Sequence, residues 1–104
     1  MKFYKYTVVF IKDKDDPDTY NVSVPAFPEI ATFGSSLEEA RYMAQDALEL
    51  TILSRLEEGE TIPRNNKPAK HPKTAIVEEM VVSVALQVEA TPFENVKTAF
   101  FQSA

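Results

Sequence analysis

Residues 3–11, Phe-Tyr-Lys-Tyr-Thr-Val-Val-Phe-Ile, are dense in aromatic and β-branched side chains, which suit a pleated, half-buried surface. They predict a strand. Tyr4, Tyr6, Val8 and Phe10 share one face, and Phe3, Lys5, Thr7, Val9 and Ile11 the other. The first set is aromatic or apolar throughout and is assigned to the core. Lys12–Thr19 is too polar to bury and contains Pro17, so it predicts the connection of a hairpin. From Tyr20 to Val24 the alternation returns, with Tyr20, Val22 and Val24 against Asn21 and Ser23, and predicts a second strand. Pro25 and Pro28 cannot donate to a ladder, so regular pairing stops at a rigid corner. Residues 30–33 predict a short third strand ended by Gly34.

The period then changes to that of a helix. Ser36 is a good N-cap and Glu39 completes a capping box; Ser35 with Glu38 offers the same pattern one residue earlier. Leu37, Ala40, Ala44, Ala47, Leu48 and Thr51 fall on one stripe at steps of three or four. The alanines let a helix lie close to a sheet, and Gly59 is placed to end it. Residues 60–73, with Pro63, Pro68 and Pro72, predict a long loop, of the kind that is usually functional or mobile. Residues 77–88 predict a fourth strand in which Val82, Val84, Leu86 and Val88 alternate with Val81, Ser83, Ala85 and Gln87. Its apolar density suits a central or dimer-pairing position. In the tail, Thr91, Pro92 and Glu94 signal a short helix with Phe93, Val96, Lys97 and Phe100 on one side. So short a helix is marginal alone and has to dock on its own domain or on another chain. The pattern predicts an α+β fold of two layers, β-β-β-α-β, an antiparallel sheet with one helix on one face. Residues 1–90 form the domain and 91–104 the tail.

Composition narrows the chemistry. A chain of 104 residues suits one domain with a modest core, for which self-association is a reasonable expectation. Sixteen acidic residues against eleven basic ones give a net charge of −5, which repels phosphate and favours a basic protein partner over nucleic acid. Cysteine is absent, which removes disulfides, thiolate nucleophiles and cysteine zinc sites. The N-terminal residues do not read as a signal peptide and no apolar run has membrane-spanning length, so the expected location is the cytoplasm.

No catalytic constellation stands out. The aspartates of the Lys12–Thr19 run invite a calcium reading, but counting from Asp13 the sixth position is Asp18 and the twelfth is Val24, where a calcium loop needs Gly and Glu. His71 is the one histidine, without a second to form a metal pair. Gly34 and Gly59 are the only glycines, too few for a phosphate cradle or a nucleophile elbow. The adjacent carboxylates Glu38-Glu39, Glu57-Glu58 and Glu78-Glu79 point apart on a helix or strand and read as solvated surface. The chain is expected to be no enzyme and to need neither cofactor nor metal. Its basic residues concentrate in the long loop, as Arg64, Lys67, Lys70 and Lys73 beside His71; a solvated linker is favoured there over an anion or RNA contact.

The series Tyr6-Thr-Val-Val-Phe10, an acidic turn, Tyr20-Asn-Val-Ser-Val-Pro25, Phe27-Pro28 and Thr32-Phe-Gly-Ser-Ser36-Leu-Glu-Glu-Ala40 resembles the N-terminal domain of HicB-type antitoxins, and Glu49–Pro63 resembles that family's helix exit. The resemblance covers residues 4–63. It implies a degenerate ribonuclease-H-like or double-stranded-RNA-binding-like fold that binds a small basic, mRNA-cleaving toxin of the HicA type, covers its active site, and assembles into dimers or tetramers. Two departures stand out. Asp16-Pro17-Asp18-Thr19 replaces a Gly-rich turn, and nothing after residue 88 reads as a DNA-binding unit, so direct DNA binding is not expected. Under this reading the toxin contacts are Tyr20, Pro25, Phe27, Pro28 and Ile30, although the apolar corner reads equally as core. Self-assembly would use Val82, Val84, Leu86, Phe93, Val96 and Phe100. Two alternatives remain open: a stand-alone self-assembling protein without a toxin, and a small RNA-binding module built on the loop lysines.

Overall fold

Four antiparallel strands form one sheet, and a single helix lies across one of its faces, in the computed structural model, which describes residues 2–85. The elements run β1 (Lys2–Lys12), β2 (Tyr20–Ser23), β3 (Ala31–Gly34), α1 (Leu37–Glu57) and β4 (Ile76–Val84). The strand order is β3-β2-β1-β4. This is the α+β architecture that the alternation predicts. The expected tail helix, with Phe93, Val96 and Phe100, lies outside the described residues, as does Leu86 of the predicted fourth strand.

Strand β1 is the spine. Its C-terminal part pairs with β2, Phe10 opposite Val22, and nearly its whole length pairs with β4, Tyr6 opposite Met80. Tyr6, Val8 and Phe10 point at the helix and are buried, as the alternation requires. They meet Val22, Val24, Phe27, Ile30, Val82 and Val84, and the helix stripe Ala40, Ala44, Leu48 and Ile52. Each wholly buried large side chain in that set stabilises the fold by about 1.5–3 kcal/mol relative to exposure.

The helix begins where its cap predicts. Ser36 is extended at φ −153° and its Oγ accepts the Glu39 N–H at 3.0 Å. The Glu39 carboxylate reaches back to Ser35, accepting from its N–H and its hydroxyl, so the two serines divide the capping box between them. At the other end Gly59 takes φ 72°, with Gly59 N–H donating to Leu56 C=O and Glu60 N–H to Arg55 C=O, which satisfies carbonyls the last turn would leave bare. Ser36→Ala is expected to lower stability by about 1 kcal/mol, read as a lower urea midpoint at unchanged slope.

Two expectations need correction. Of the two positions expected for the fourth strand, central or dimer-pairing, the central one is not found: among the described residues β4 stands at the edge of the sheet. And the 60–73 loop is more than a solvated linker. Strand β2 pairs only with Val9–Lys12, so the Thr7 N–H has no ladder partner on that side. Asn65 supplies one: its Oδ1 accepts the Thr7 N–H at 2.7 Å and its Nδ2 donates to Thr7 Oγ1 at 3.0 Å. One residue earlier, the Tyr6 hydroxyl donates to the Pro63 carbonyl at 2.5 Å. Thr7 and Val9 are consequently buried on the face away from the helix. Asn65→Ala leaves the buried Thr7 amide unsatisfied and is expected to cost about 1–3 kcal/mol, measured by chemical denaturation.

Candidate partner-binding surface

The corner that follows β2 is made of two tight turns, Phe27 N–H to Val24 C=O and Ile30 N–H to Phe27 C=O, both 2.9 Å. They turn Phe27 inward. Its ring meets Tyr6 edge-on at 4.9 Å between centroids, and the Arg55 guanidinium sits 5.0 Å above it. Arg55 also donates to Glu29 Oε2 at 2.7 Å and to the Thr61 carbonyl, so one side chain ties the helix end, the corner and the loop together. Its Nε is buried without an acceptor. The hydrogen bond from Arg55 holds the Glu29 carboxyl below its ordinary value.

Burial therefore divides the expected toxin contacts. Phe27 (0% exposed) and Ile30 (6%) belong to the core and present nothing to a partner. Pro28 is exposed, and Tyr20 and Pro25 are half-buried. The expected assembly residues divide too: Val82 and Val84 point under the helix and are buried. Phe27 and Ile30 shape the corner from inside, as Val82 and Val84 shape the sheet.

The acidic turn is occupied with itself. Asp13 accepts from the N–H groups of Asp15 and Asp16 and from Asn21 Nδ2, and Asp16 accepts from the Asp18 N–H and the Thr19 hydroxyl. The Asn21 bond is the main reason the Asp13 carboxyl lies below its ordinary value. Among the described residues there is no group of three or more His, Cys, Asp or Glu that would hold a metal ion. Asp15 and Asp18 remain on the surface.

The outer face of α1 carries what the sequence pattern passed over. Tyr42 is 67% exposed and Leu50 60% exposed, with Gln45, Asp46 and Glu49 between them. Tyr42, Gln45, Asp46 and Glu49 line a shallow depression of about 160 Å³. Next to it, Asp46, Glu49, Leu50, Leu53, Ser83, Val84 and Ala85 line a second of about 200 Å³, between helix and β4. Among the described residues no cation pairs with Asp46 or Glu49. Exposed aromatic and aliphatic anchors beside unpaired carboxylates suit a basic protein surface. The signal in the sequence was Tyr42 and Leu50, large and apolar on the helix side opposite the alanine stripe.

The basic loop offers less. Lys67 pairs with Glu79 at 2.9 Å, and the depression of about 210 Å³ beside it is lined by Thr7, Pro68, His71 and Val77 together with Glu78 and Glu79. Those carboxylates oppose a phosphate. Glu78 is also engaged, by a two-pronged contact from Arg41.

Several of these pairings link stability to pH. Glu29, Glu78 and Glu79 are held below their ordinary values by hydrogen bonds from Arg55, Arg41 and Lys67, and Glu39 by Ser35. The unfolded chain therefore binds protons first. The stabilisation is present above the unfolded carboxylate range near ~4 and is lost as pH falls through and below it. The urea midpoint is expected to drop steadily from pH 6 towards pH 3, and a flat profile would contradict these pairings.

An antiparallel sheet backed by one helix, with acidic and aromatic groups on open surface, defines a small two-layer α+β domain. The chain belongs to the HicB-like family: residues 5–89 match the family model described as HicB_like antitoxin of bacterial toxin-antitoxin system. It is 40% identical over 62 residues to UPF0150 protein Ta0767 of Thermoplasma acidophilum, which covers 60% of this chain and 87% of that one. The N-terminal domain of Burkholderia pseudomallei antitoxin HicB aligns with a TM-score of 0.59 at 25% identity, over 79% of this chain and 99% of that one. A chain of a toxin-antitoxin complex from Streptococcus pneumoniae has the same fold, with a TM-score of 0.69 at 17% identity, over 91% of this chain and 82% of that one. No helix among the described residues is long and apolar enough to cross a membrane.

Proposed function

We propose that this chain is a non-catalytic, cytoplasmic antitoxin that binds a small basic ribonuclease toxin and covers its active site. The observation that carries the reading is the outer face of α1, where Tyr42 and Leu50 flank Asp46 and Glu49, carboxylates with no cation of their own among the described residues. Family membership and the likeness to a chain of a solved toxin-antitoxin complex support it. A toxin that grips RNA phosphates must present a basic surface, and that is the surface an acidic strip attracts and buries. Pro28 and the exposed Asp15 and Asp18 lie outside this strip and are secondary contacts.

The test is co-purification of the full chain with the small basic protein encoded beside it. Wild type is expected to retain the toxin. Asp46→Lys with Glu49→Lys is expected to weaken the complex by about 100-fold, since like charges then meet at the contact. Undiminished affinity in that double variant would place the toxin elsewhere.

A further inference from the structure

Residues 60–75 carry the chain from α1 towards β4, and none of them is fully buried. They are fixed by polar ties at every second residue, the spacing of an extended segment. Arg55 donates to the Thr61 carbonyl at 3.3 Å and the Tyr6 hydroxyl to the Pro63 carbonyl at 2.5 Å. Asn65 takes the Thr7 amide at 2.7 Å and the Thr7 hydroxyl at 3.0 Å, and Lys67 pairs with Glu79 at 2.9 Å. Ile62 adds an apolar contact with the core. The helix and sheet are held differently, by the wholly buried Val8, Phe10, Leu48 and Ile52 and by the long β1–β4 pairing. Polar ties that open exchange their bonds for water, whereas a core that opens must expose apolar surface, so the two parts differ in how readily they open. Pro63 and Pro68 fix φ at two points of the segment and stiffen it against opening tie by tie.

We infer that residues 61–71 are a strap that lifts from the sheet as one unit while α1 and the four strands stay folded, with Asn65 as its latch. Asn65 holds this role because its carboxamide satisfies a buried backbone amide. Strand β2 ends opposite Val9, and the Thr7 N–H, two residues away, finds the Asn65 Oδ1 where a strand would have placed a carbonyl. Lifting the strap returns that N–H to water and uncovers Thr7 and Val9, now 1% and 5% exposed. It also carries away Lys67, Pro68 and His71, which wall the depression of about 210 Å³ over Thr7 and Val77. The strap is thus a gate over the face of the sheet that the helix leaves bare. The α1 strip takes no part in it, so its failure would leave the toxin reading untouched.

Native-state hydrogen exchange of the full chain, with and without 1 M urea, tests the inference on the wild type. Neighbouring amides of a strand point to opposite sides, so the Val8 N–H faces β4 and is released only with the sheet. Thr7 is expected to exchange about 100-fold faster than Val8. Its rate should change less than about 2-fold in 1 M urea, while that of Val8 rises about 5-fold or more, because only unfolding exposes much surface. Trypsin gives a second reading. It is expected to cut the folded chain after Arg64, in step with opening of the strap and equally insensitive to urea. Asn65→Ala, its fold checked by circular dichroism, is expected to speed that cut about 30-fold. Thr7 and Val8 exchanging at one rate with one urea dependence would overturn the inference, as would a Thr7 amide with no protection. So would a cut after Arg64 that quickens with urea as Val8 exchange does, or one indifferent to Asn65→Ala.

Discussion

Gly34→Val is expected to abolish stable folding. Gly34 ends β3 and is buried directly against the first turn of α1: a Cβ placed on it would lie 2.7 Å from Ala40 Cα and 2.8 Å from the Glu39 carbonyl carbon, with the Ala40 nitrogen nearer still. These are backbone atoms, fixed by the Ala40 N–H to Ser36 C=O bond and by the Ser36 cap, so no side chain can swing aside. The strand would have to leave the helix, or the helix its cap. Either breaks the Tyr20–Gly34 pairing or uncovers Ala40 and Ala44. The expected loss is about 4 kcal/mol, near the top of what one substitution does. That corresponds to a fall of roughly 20 °C in Tm for a domain of this size. Gly34→Ala should show most of this, because the first added carbon already meets the backbone. A melt within a few degrees of wild type for Gly34→Ala would contradict the close approach.

Phe27→Ala should be almost as damaging, and it separates two roles for the corner. Phe27 is wholly buried, edge-on to Tyr6 and beneath Arg55. Truncation empties its site and removes the surface on which the Arg55 guanidinium rests, at an expected cost of about 3–5 kcal/mol. The loss must appear in the isolated chain, as a lower urea midpoint with no toxin present. Were Phe27 a toxin contact instead, the free protein would melt normally and only the complex would weaken. Pro28→Ala, one residue on and exposed, is expected to change the melt by less than about 0.5 kcal/mol.

The contrast between Phe27 and Pro28 marks how far the sequence could be read. Period-two alternation in β1 assigns Tyr6, Val8 and Phe10 inward, and the Ser36 box and Gly59 locate both helix ends, because these signals are local. The corner has no period. Prolines announce a bend but not which way Phe27 points, and its burial follows from Tyr6 and Arg55, distant in the chain. Thr7 and Val9 read as the open side of β1, yet both are buried. Thr7 is tied to Asn65, 58 residues later in the chain, which no local pattern carries. Apolar density in β4 is ambiguous for a related reason. It is produced by the helix on one face and by exposed Val77 and Val81 on the other, so it imitates a central strand in an edge strand. Tyr42 and Leu50 were visible as letters, but their exposure needed the stripe Ala40, Ala44, Leu48, Ile52 to be fixed first.

The central claim is that this chain acts by covering another protein, not by transforming a substrate. A titration tests it most directly: the purified full chain is added to the small basic ribonuclease proposed as its partner, and cleavage of a labelled mRNA is followed. The account predicts that cleavage stops at a fixed molar ratio, and that Asp46→Lys/Glu49→Lys shifts the titration to much higher concentration. Cleavage that continues under a large excess of wild-type chain, or RNA cut by this chain alone, would contradict it.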